Sequence, residues 1–276
     1  MGGTGKTPVV AAIAQWLVEQ GHRPSILTRG YGRADEADGV VVVTASTPVS
    51  QSGDEPLMLA RQVPAATVCV SPDRYLGGVL AEKLGCSIHI LDDGFQHIEL
   101  ARNLDILVTT IGEIPKGRVI PVGTLREPKD AAARAHFLVV SDATAGAATT
   151  EAWELGVSQA CGSRRTLKSP LNNTGQRVLT VAGIAHPDRF VSSVKDNGWN
   201  VVDSIAFNDH HRYTMNDLAA IEAKMKSTGA DVVITTEKDG VRFEALSPPF
   251  QIHRVSLVVE FDPPTALFES VKAVLR

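Results

Sequence analysis

The chain has 276 residues, which is enough for two domains or for one large α/β domain. Hydrophobic residues make up 43% of it and charged residues 21%, as in an ordinary globular protein. The formal net charge of −4 argues against a nucleic-acid-binding protein, and no run of about 18 apolar residues predicts a membrane span. Cys69, Cys86 and Cys161 lack metal-ligand spacing, so we expect buried, reduced thiols.

Short apolar runs alternate with helical patterns along the first half of the chain. A helix is predicted in "VVAAIAQWLVEQG", with Val9, Ile13, Trp16 and Leu17 on one face and Gly21 as a plausible C-cap. Strands are predicted in "SILT", "GVVVVT", "ATVCV", "SIHIL", "LDILVTT" and "HFLVV", and helices in "DEPLMLARQV" and "PDRYLGGVLAEKLG". The strands are almost continuously apolar, which favours a parallel sheet that is covered on both faces.

The second half continues this alternation after a stretch rich in small and polar residues, 143–175, which we interpret as a connection between two units. The predicted elements are, in order, "RVLTVAGI" (strand), "PDRFVSSVKDNG" (helix), "WNVVDSIAF" (strand), "TMNDLAAIEAKMKSTG" (helix) and "DVVITT" (strand), followed by "IHRVSLVVEF" and a last amphipathic helix. Thr214 is a suitable N-cap, and Leu218, Ile221 and Met225 recur at helical spacing as a buried stripe.

The chain opens on "MGGTGKTP", in which Gly5, Lys6 and Thr7 match the end of the P-loop pattern G-x-x-x-x-G-K-[ST]. In such a loop, backbone N–H groups converge on phosphate oxygens, the lysine reaches the outer phosphates and the hydroxyl holds Mg²⁺. The first glycine of the motif would fall before Met1, and we expect that the chain starts within the motif. The alternative is a glycine-rich tail that caps a helix. The predicted nucleotide-binding residues are Gly2, Gly3, Thr4, Gly5, Lys6 and Thr7.

This loop and the alternating elements together predict an α/β fold. We expect a P-loop NTPase-like, mostly parallel sheet flanked by helices, plus a second, smaller α/β domain. The predicted P-loop kinase domain covers 1–144, and the second domain covers 145–276 and is expected to close the active-site cleft.

Two adjacent carboxylates follow a predicted strand in "SIHILDDGFQH". A nucleotide-binding α/β domain needs a second Mg²⁺ partner, usually an acidic residue at the end of a strand. Asp92 and Asp93 meet that need together with Thr7, because adjacent carboxylates are costly unless a cation or hydrogen-bond donors balance them. The alternative is a simple Asp-Gly turn.

Other polar residues are ambiguous when each is taken singly. "SGDEPLMLA" places Asp54 where a helix begins, so Asp54 either caps that helix or orients and deprotonates an attacking hydroxyl. The loop "FNDHHRYT" contains His210 and His211, and histidines in such a loop are often hydrogen-bonded surface groups. Arginines at strand–helix junctions, which suggest a substrate that carries its own phosphate, are Arg29, Arg33, Arg74 and Arg126.

Nine sequence blocks occur in this order: "GGTGKTP", "TRGYGR", "GDEP", "PDR", "LDDGFQH", "PVGTLREP", "AGIAHPDRF", "FNDHHRYT" and "TTEKD". Together they resemble the tetraacyldisaccharide 4′-kinase family from Gly2 to about Asp239, and "DDGFQH" and "LREP" are the most specific blocks. The resemblance implies transfer of the γ-phosphoryl group of ATP, with Mg²⁺, to the 4′-hydroxyl of a lipid A disaccharide 1-phosphate. It also implies work at the cytoplasmic face of the inner membrane of a Gram-negative-type bacterium.

The resemblance assigns roles to single residues by matching position. Asp54, paired with His210 of the second domain, would act on the 4′-hydroxyl. Lys6 and Thr7 would bind the β/γ-phosphates and Mg²⁺, and Asp92, with Asp93, would help to hold the metal. The residues expected to line the site are Arg29, Tyr31, Arg74, Gln96, His97, Arg126 and Glu127. The implied partners are the lipid A precursor and the membrane surface, with no nucleic acid and no obligate protein partner.

Two departures from the family pattern leave alternatives open. Family members resembling this chain carry an amino-terminal hydrophobic helix and a strand before the P-loop, and this sequence has neither; "IGEIPKGRV" is also poorer in glycine than expected. One alternative is a partitioning-type P-loop ATPase, which suits "GGTGKT" but leaves "DDGFQH" and "LREP" unexplained. Another is an inactive, truncated fragment of the kinase, whose sheet edge would be exposed. This chain alone is expected to be soluble.

Overall fold

The structure is a computed structural model that describes residues 5–30, 39–168, 175–209, 211–244 and 246–275. Its α-helices are α1 (Lys6–Glu19), α2 (Val49–Ser52), α3 (Asp54–Gln62), α4 (Arg74–Lys83), α5 (Ala145–Leu155), α6 (Pro187–Asp196), α7 (Met215–Thr228), α8 (Glu237–Glu244) and α9 (Ala266–Ala273). Its strands are β1 (Pro24–Thr28), β2 (Val41–Val43), β3 (Thr67–Val70), β4 (Ile88–Leu91), β5 (Ile106–Thr110), β6 (Phe137–Ser141), β7 (Ala160–Lys168), β8 (Arg177–Ala182), β9 (Asn200–Ala206), β10 (Val232–Thr236) and β11 (Ile252–Asp262). A 3₁₀ helix covers Lys129–Arg134.

The chain folds into two compact units, each built from separate stretches of sequence. Unit 1 comprises Met1–Pro24, Ile90–Thr166 and Val258–Arg276, and unit 2 comprises Ser25–His89 and Leu167–Leu257. The division into domains 1–144 and 145–276 stays a prediction.

In unit 1, strand β6 is buried and lies between β5 and β7 in a seven-stranded sheet of the order β5-β6-β7-β11-β10-β8-β9. Strand β6 pairs with β5 on one side and with β7 on the other, both in parallel. All five residues of β6 are buried, as its apolar run predicted. Leu138 and Val140 of this strand pack in one cluster with Ala148, Ala152 and Leu155 of α5. One hydrophobic cluster of unit 1 therefore lies between β6 and α5.

The stretch 143–175 is more than the connection that its composition suggested, because it contains helix α5 and strand β7. The Thr144 hydroxyl caps α5 by accepting a hydrogen bond from the Ala147 N–H (3.4 Å), and Gly156 ends it in the left-handed conformation. The small residues Ala148 and Ala152 are buried against the sheet. Their small side chains allow the helix to pack closely on the sheet. The richness in small residues, which we interpreted as typical of a linker, therefore reflects helix packing.

Unit 2 has buried parallel strands with a core on each face. Val232 and Ile234 of β10 belong to a cluster with Phe190, whereas Val233 between them belongs to a second cluster with Leu218 and Ile221 of α7. Successive side chains of a strand point to opposite faces, so a strand covered on both faces is apolar at consecutive positions. Strands β9, β8, β10 and β11 lie in that order, and each strand pairs in parallel with the next one in this order.

A smaller sheet has the order β2-β3-β1-β4. Strand β1 pairs with β3 in parallel, while β2 pairs with β3 in the antiparallel direction. The antiparallel strand β2 has only three residues and lies at an edge of this sheet. The predicted mostly parallel arrangement of strands is therefore confirmed.

Helix α7 confirms the cap and the buried stripe that its sequence predicted. Thr214 is the N-cap and forms a capping box with Asp217, and Leu218, Ile221 and Met225 are the buried residues. Helices α1 and α7 have 14 residues each. In the described part of the chain, no helix combines the length and the apolar character needed to cross a membrane.

Candidate active site

Gly5 and Lys6 place a cationic side chain at the amino end of α1. Gly5 is the N-cap residue with φ +88°, a conformation that suits glycine, and a Cβ there would lie 3.1 Å from Ser141 Oγ. Lys6 begins the helix, and its Nζ lies 2.6 Å from Asp93 Oδ1. The first N–H groups of a helix have no partner within the helix, and the helix dipole favours negative charge there. This helix end is therefore suited to bind an anion such as phosphate.

Asp93 lies between two cations after the end of β4. Its Oδ1 accepts a hydrogen bond from Lys6 at 2.6 Å and its Oδ2 accepts one from the guanidinium of Arg126 at 2.7 Å. Partial burial acts to raise the pKa of Asp93, but Lys6 and Arg126 outweigh it and hold the pKa below its usual range. Asp93 is thus ionised at neutral pH and occupies the place of an anion between two cations. Its neighbour Asp92 is buried.

A polar loop extends this group, which we call the Lys6 cluster (Lys6, Asp93, Gln96, Arg126 and Glu127). The Arg126 guanidinium also donates to Gln96 Oε1 at 3.3 Å. Glu127 accepts two hydrogen bonds from Arg134, at 2.8 and 3.1 Å, and these lower its pKa; a weaker contribution comes from Gln96. The cluster therefore joins the start of α1 to two loops of unit 1.

In unit 2, Asp54 is the first residue of α3 and its side chain is 6% exposed. Gly53 is the N-cap residue, so Asp54 is not the N-cap. Asp54 Oδ1 accepts a hydrogen bond from the Glu55 N–H at 2.9 Å, and Oδ2 pairs with Arg242 of α8. Both carboxylate oxygens of Asp54 are therefore engaged.

Arg242 is itself held by a fully buried carboxylate, Asp239. Asp239 Oδ1 lies 3.1 Å from an Arg242 nitrogen. Asp239 Oδ2 accepts hydrogen bonds from the Gly183 N–H (3.0 Å) and the Thr236 hydroxyl (2.8 Å). Asp239 and Arg242 are three residues apart in α8, a spacing that places both on one helix face. We call Asp54, Gly183, Thr236, Asp239 and Arg242 the Arg242 network.

Tyr213 and Lys238 adjoin this network. The Tyr213 ring is buried, and this burial, reinforced by the nearby charge of Asp239, raises the pKa of its hydroxyl. Lys238 Nζ lies 3.2 Å from Glu55 and 3.7 Å from Asp209. The hydroxyl of Tyr213 therefore stays neutral at physiological pH, next to a set of closely paired charges.

Comparison with known proteins identifies the family. The family model described as tetraacyldisaccharide-1-P 4′-kinase matches residues 1–276. The chain belongs to the tetraacyldisaccharide-1-P 4′-kinase family. This confirms the family and the enzyme class that the nine sequence blocks predicted.

Individual relatives agree with this 4′-kinase family assignment. The tetraacyldisaccharide 4′-kinase of Pelobacter propionicus is 36% identical over 296 residues, covering 100% of this chain and 81% of the relative. That of Koribacter versatilis is 35% identical over 288 residues, covering 100% of this chain and 87% of the relative. A crystal structure of LpxK from Aquifex aeolicus, described as an "apo" form in complex with ATP, has a TM-score of 0.76 and 27% identity and covers 100% of this chain and 86% of its own. The predicted P-loop kinase fold is confirmed.

Of the residues predicted for a 4′-kinase site, some lie together in the structure, some make other contacts and some lie outside the described residues. It brings together the five residues of the Lys6 cluster. His97 donates its backbone N–H to Gly94, and Arg74 is turned to the carbonyls of Ser71 and Pro72, each at 3.0 Å. Arg29 is exposed after β1, and Thr7 follows Lys6 in α1. The residues Gly2, Gly3, Thr4, Tyr31 and His210 lie outside the described residues. All of these roles stay predictions.

Sequence reasoning missed the partner of Asp54. Asp239 lies in the block "TTEKD", which carried part of the family resemblance, but it received no role, and Arg242 was not considered. The spacing of three residues on a helix was a signal that the two interact. Nothing local indicated Asp54 as the third member, because it precedes Arg242 by 188 residues.

Proposed function

We propose that this chain transfers the γ-phosphoryl group of ATP to the 4′-hydroxyl of a tetraacyldisaccharide 1-phosphate in lipid A biosynthesis. The observation that carries the proposal is the position of Lys6 in a chain of the 4′-kinase family. Lys6 follows a left-handed glycine at a helix start and pairs with a carboxylate that a second cation, Arg126, also binds. This arrangement supplies two positive charges and a helix amino end for a phosphate chain.

The nucleotide would replace Asp93 as the anion that Lys6 binds. The Lys6 and Asp93 side chains are 32% and 41% exposed, so water and ligands can reach the pair. The phosphate oxygens of ATP carry more negative charge than one carboxylate, which favours the exchange. Gly5 and the preceding residues Gly2, Gly3 and Thr4 are proposed to cradle the phosphates through their backbone N–H groups.

Mg²⁺ is the metal that the proposed reaction uses. Thr7 and Asp92 offer a hydroxyl and a carboxylate, which are oxygen donors of the kind that Mg²⁺ takes in small number while it keeps several waters. Asp93 fits less well as a ligand, because both of its oxygens already bind cations. Among the described residues, no group of three or more His, Cys, Asp or Glu side chains is arranged to hold a metal. The ion, when bound, neutralises charge on the β- and γ-phosphates.

Asp54 is the proposed acceptor of the proton from the sugar hydroxyl. As the 4′-oxygen forms its bond to the γ-phosphorus, the bond from that phosphorus to the bridging oxygen breaks, ADP leaves and the hydroxyl proton moves to Asp54. Such a base is needed only late in the transfer, so a carboxylate of ordinary strength suffices. His210 is proposed as its partner. The other residues proposed to line the acceptor site are Arg29, Tyr31, Arg74 and His97.

The acyl chains of the proposed substrate indicate where in the cell the reaction takes place. Each buried methylene contributes about 0.8 kcal/mol to membrane binding, so a tetraacylated disaccharide stays in the bilayer. We propose that the chain meets it at the cytoplasmic face of the inner membrane, where ATP is available.

The test is transfer of labelled γ-phosphate from ATP to a tetraacyldisaccharide 1-phosphate in detergent micelles, with the 4′-deoxy analogue as the control acceptor. We expect labelled product from the first acceptor and none from the second. Label on neither, from folded protein, contradicts the proposal. Hydrolysis of ATP without an acceptor, together with no transfer, would favour the partitioning-type ATPase instead.

A further inference from the structure

We infer that Arg242 is a positioning residue that holds the carboxylate of Asp54 in its working orientation, with Asp239 as the anchor of its guanidinium. This inference rests on the proposed function, because it concerns the residue proposed to act on the acceptor hydroxyl. Arg242 and Asp239 act here through Asp54.

The Asp54 carboxylate has little freedom to rotate. Its Oδ1 is held by the N–H of Glu55 within α3, and its Oδ2 is held by Arg242 of α8. Its side chain is 6% exposed, so bulk water offers few competing partners. A proton acceptor needs such a fixed direction, because a displacement of about 1 Å lowers a transfer rate roughly a hundredfold.

The guanidinium that holds Asp54 is fixed in turn. One Arg242 nitrogen donates to Asp239 Oδ1 at 3.1 Å, and the other donates to Asp54. Asp239 is held in place by two further donors, the Gly183 N–H and the Thr236 hydroxyl. Because a guanidinium is planar and its N–H groups diverge at fixed angles, anchoring one side sets the direction of the other. A lysine keeps the charge but lacks this fork.

Charge points to the same role. The Arg242 cation and the amino end of α3 both favour the ionised form of Asp54, the form that accepts a proton. Among the described residues, the other ionisable groups of helices α3 and α8 and of the segment before α7 include Glu55 and Arg61 on α3, Glu237, Lys238 and Glu244 on α8, and Asp209, His211, Arg212 and Tyr213 before α7.

The competing explanation is that Arg242 only ties α3 to α8. The same two helices carry a second ion pair, in which Arg61 of α3 donates to both oxygens of Glu244 of α8 at 2.8 and 2.9 Å. Arg61 is not among the residues proposed to bind substrate. Arg61→Lys and Arg61→Gln are therefore controls for the loss of a helix-to-helix arginine pair, at a more exposed position (28% against 10% for the arginine side chain).

The first experiment compares kcat and KM of Arg242→Lys, Arg242→Gln and the two Arg61 variants in the transfer assay. We expect Arg242→Lys to lower kcat roughly 10- to 100-fold and to leave both KM values within about threefold of wild type. The Arg61 variants should keep kcat within about twofold. Thr236→Val removes one donor to Asp239 and keeps every charge, so it serves as a milder variant with a few-fold fall in kcat. Equal losses in the Arg242 and Arg61 variants overturn the inference.

The second experiment follows the ionisation of Asp54 directly and needs no activity. Aspartates are labelled with ¹³C at the carboxyl group, and the Asp54 signal is identified by its absence in Asp54→Asn. We expect its titration in Arg242→Gln to move to higher pH by about one unit or more, while Arg61→Gln leaves it in place. An unmoved titration in Arg242→Gln overturns the inference. A wild-type chain that transfers no phosphate overturns the proposed function instead, and the titration still decides whether Arg242 holds Asp54.

Discussion

The Lys6 cluster of unit 1 and the Arg242 network of unit 2 are both built from carboxylates bridged to basic side chains, and they differ in exposure. In the Lys6 cluster, the Lys6, Asp93 and Arg126 side chains are 32%, 41% and 43% exposed. In the Arg242 network, the Arg242, Asp54 and Asp239 side chains are 10%, 6% and 0% exposed. Exposed ion pairs are weak and exchange partners readily, whereas buried ones are costly to break. The first suits a site that must release one anion for another, and the second suits a fixed geometry.

The largest expected difference is in stability. Asp239→Ala removes one of the two carboxylates that bind the buried Arg242 guanidinium and leaves the Gly183 N–H and the Thr236 hydroxyl without that acceptor, so we expect it to lower the free energy of unfolding by roughly 3 kcal/mol. Asp93→Ala removes a half-exposed carboxylate and should cost less than about 1 kcal/mol. Urea unfolding of both variants measures the two values. Equal losses in the free energy of unfolding would contradict the difference between the buried Arg242 network and the exposed Lys6 cluster.

The next effect separates activity from stability at Lys6. Lys6→Ala removes the proposed cation at the outer phosphates, and we expect transfer to fall about 100- to 1,000-fold. Because the Lys6–Asp93 pair is exposed, the free energy of unfolding should change by less than about 1 kcal/mol. Lys226→Ala is the control, since it breaks a surface pair with Glu222 on α7. Transfer at the wild-type rate by Lys6→Ala would remove Lys6 from the site.

A smaller effect comes from pH at the buried Tyr213. Its pKa is raised from 10.0 in the folded state, so the folded protein keeps this proton where the unfolded chain loses it. The stability from this group is complete below about pH 10 and is lost as pH rises above it, by up to about 1.4 kcal/mol per pH unit. Tyr213→Phe should lack this slope in unfolding experiments between pH 9 and 11 (about one unit either side of that pKa). Tyr75→Phe, at an exposed tyrosine, is the matched control. A wild-type slope in Tyr213→Phe would contradict the assignment.

The smallest expected effect tests exchange of anions in the Lys6 cluster. Asp93→Asn removes the negative charge that competes for Lys6 and Arg126, so metal-free ATP should bind about threefold more tightly, or by about 0.6 kcal/mol. Calorimetric titration in EDTA measures this affinity. Asp203→Asn, which breaks a surface pair with Lys224, controls for the loss of one negative charge. Weaker binding of ATP to Asp93→Asn would show that Asp93 supports the nucleotide rather than competing with it.

Much of the fold was predictable from local patterns, and the exceptions have physical causes. The stripe of α7 follows a 3.6-residue period, and the buried strands β6, β8 and β10 were recognisable as short apolar runs. Helix α5 was missed because buried alanines have the same small size as linker residues. Within the site, the P-loop residues and the paired aspartates were visible as motifs. Arg242 was not, since an arginine on a helix is ordinary until its partners are known.

The sequence by itself determined the family, the Gly5–Lys6 start of α1 and the position of Asp92 and Asp93 after a strand. Only the tertiary structure decided which charges meet. Lys6 and Asp93 are 87 residues apart, and Asp54 and Arg242 are 188 residues apart. Local periodicity reports the environment of a residue's own helix or strand, while a contact across such separations depends on how the elements are ordered in the sheet. For that reason the motifs indicated the chemistry, and the fold supplied the buried arginine that we propose to hold its base in place.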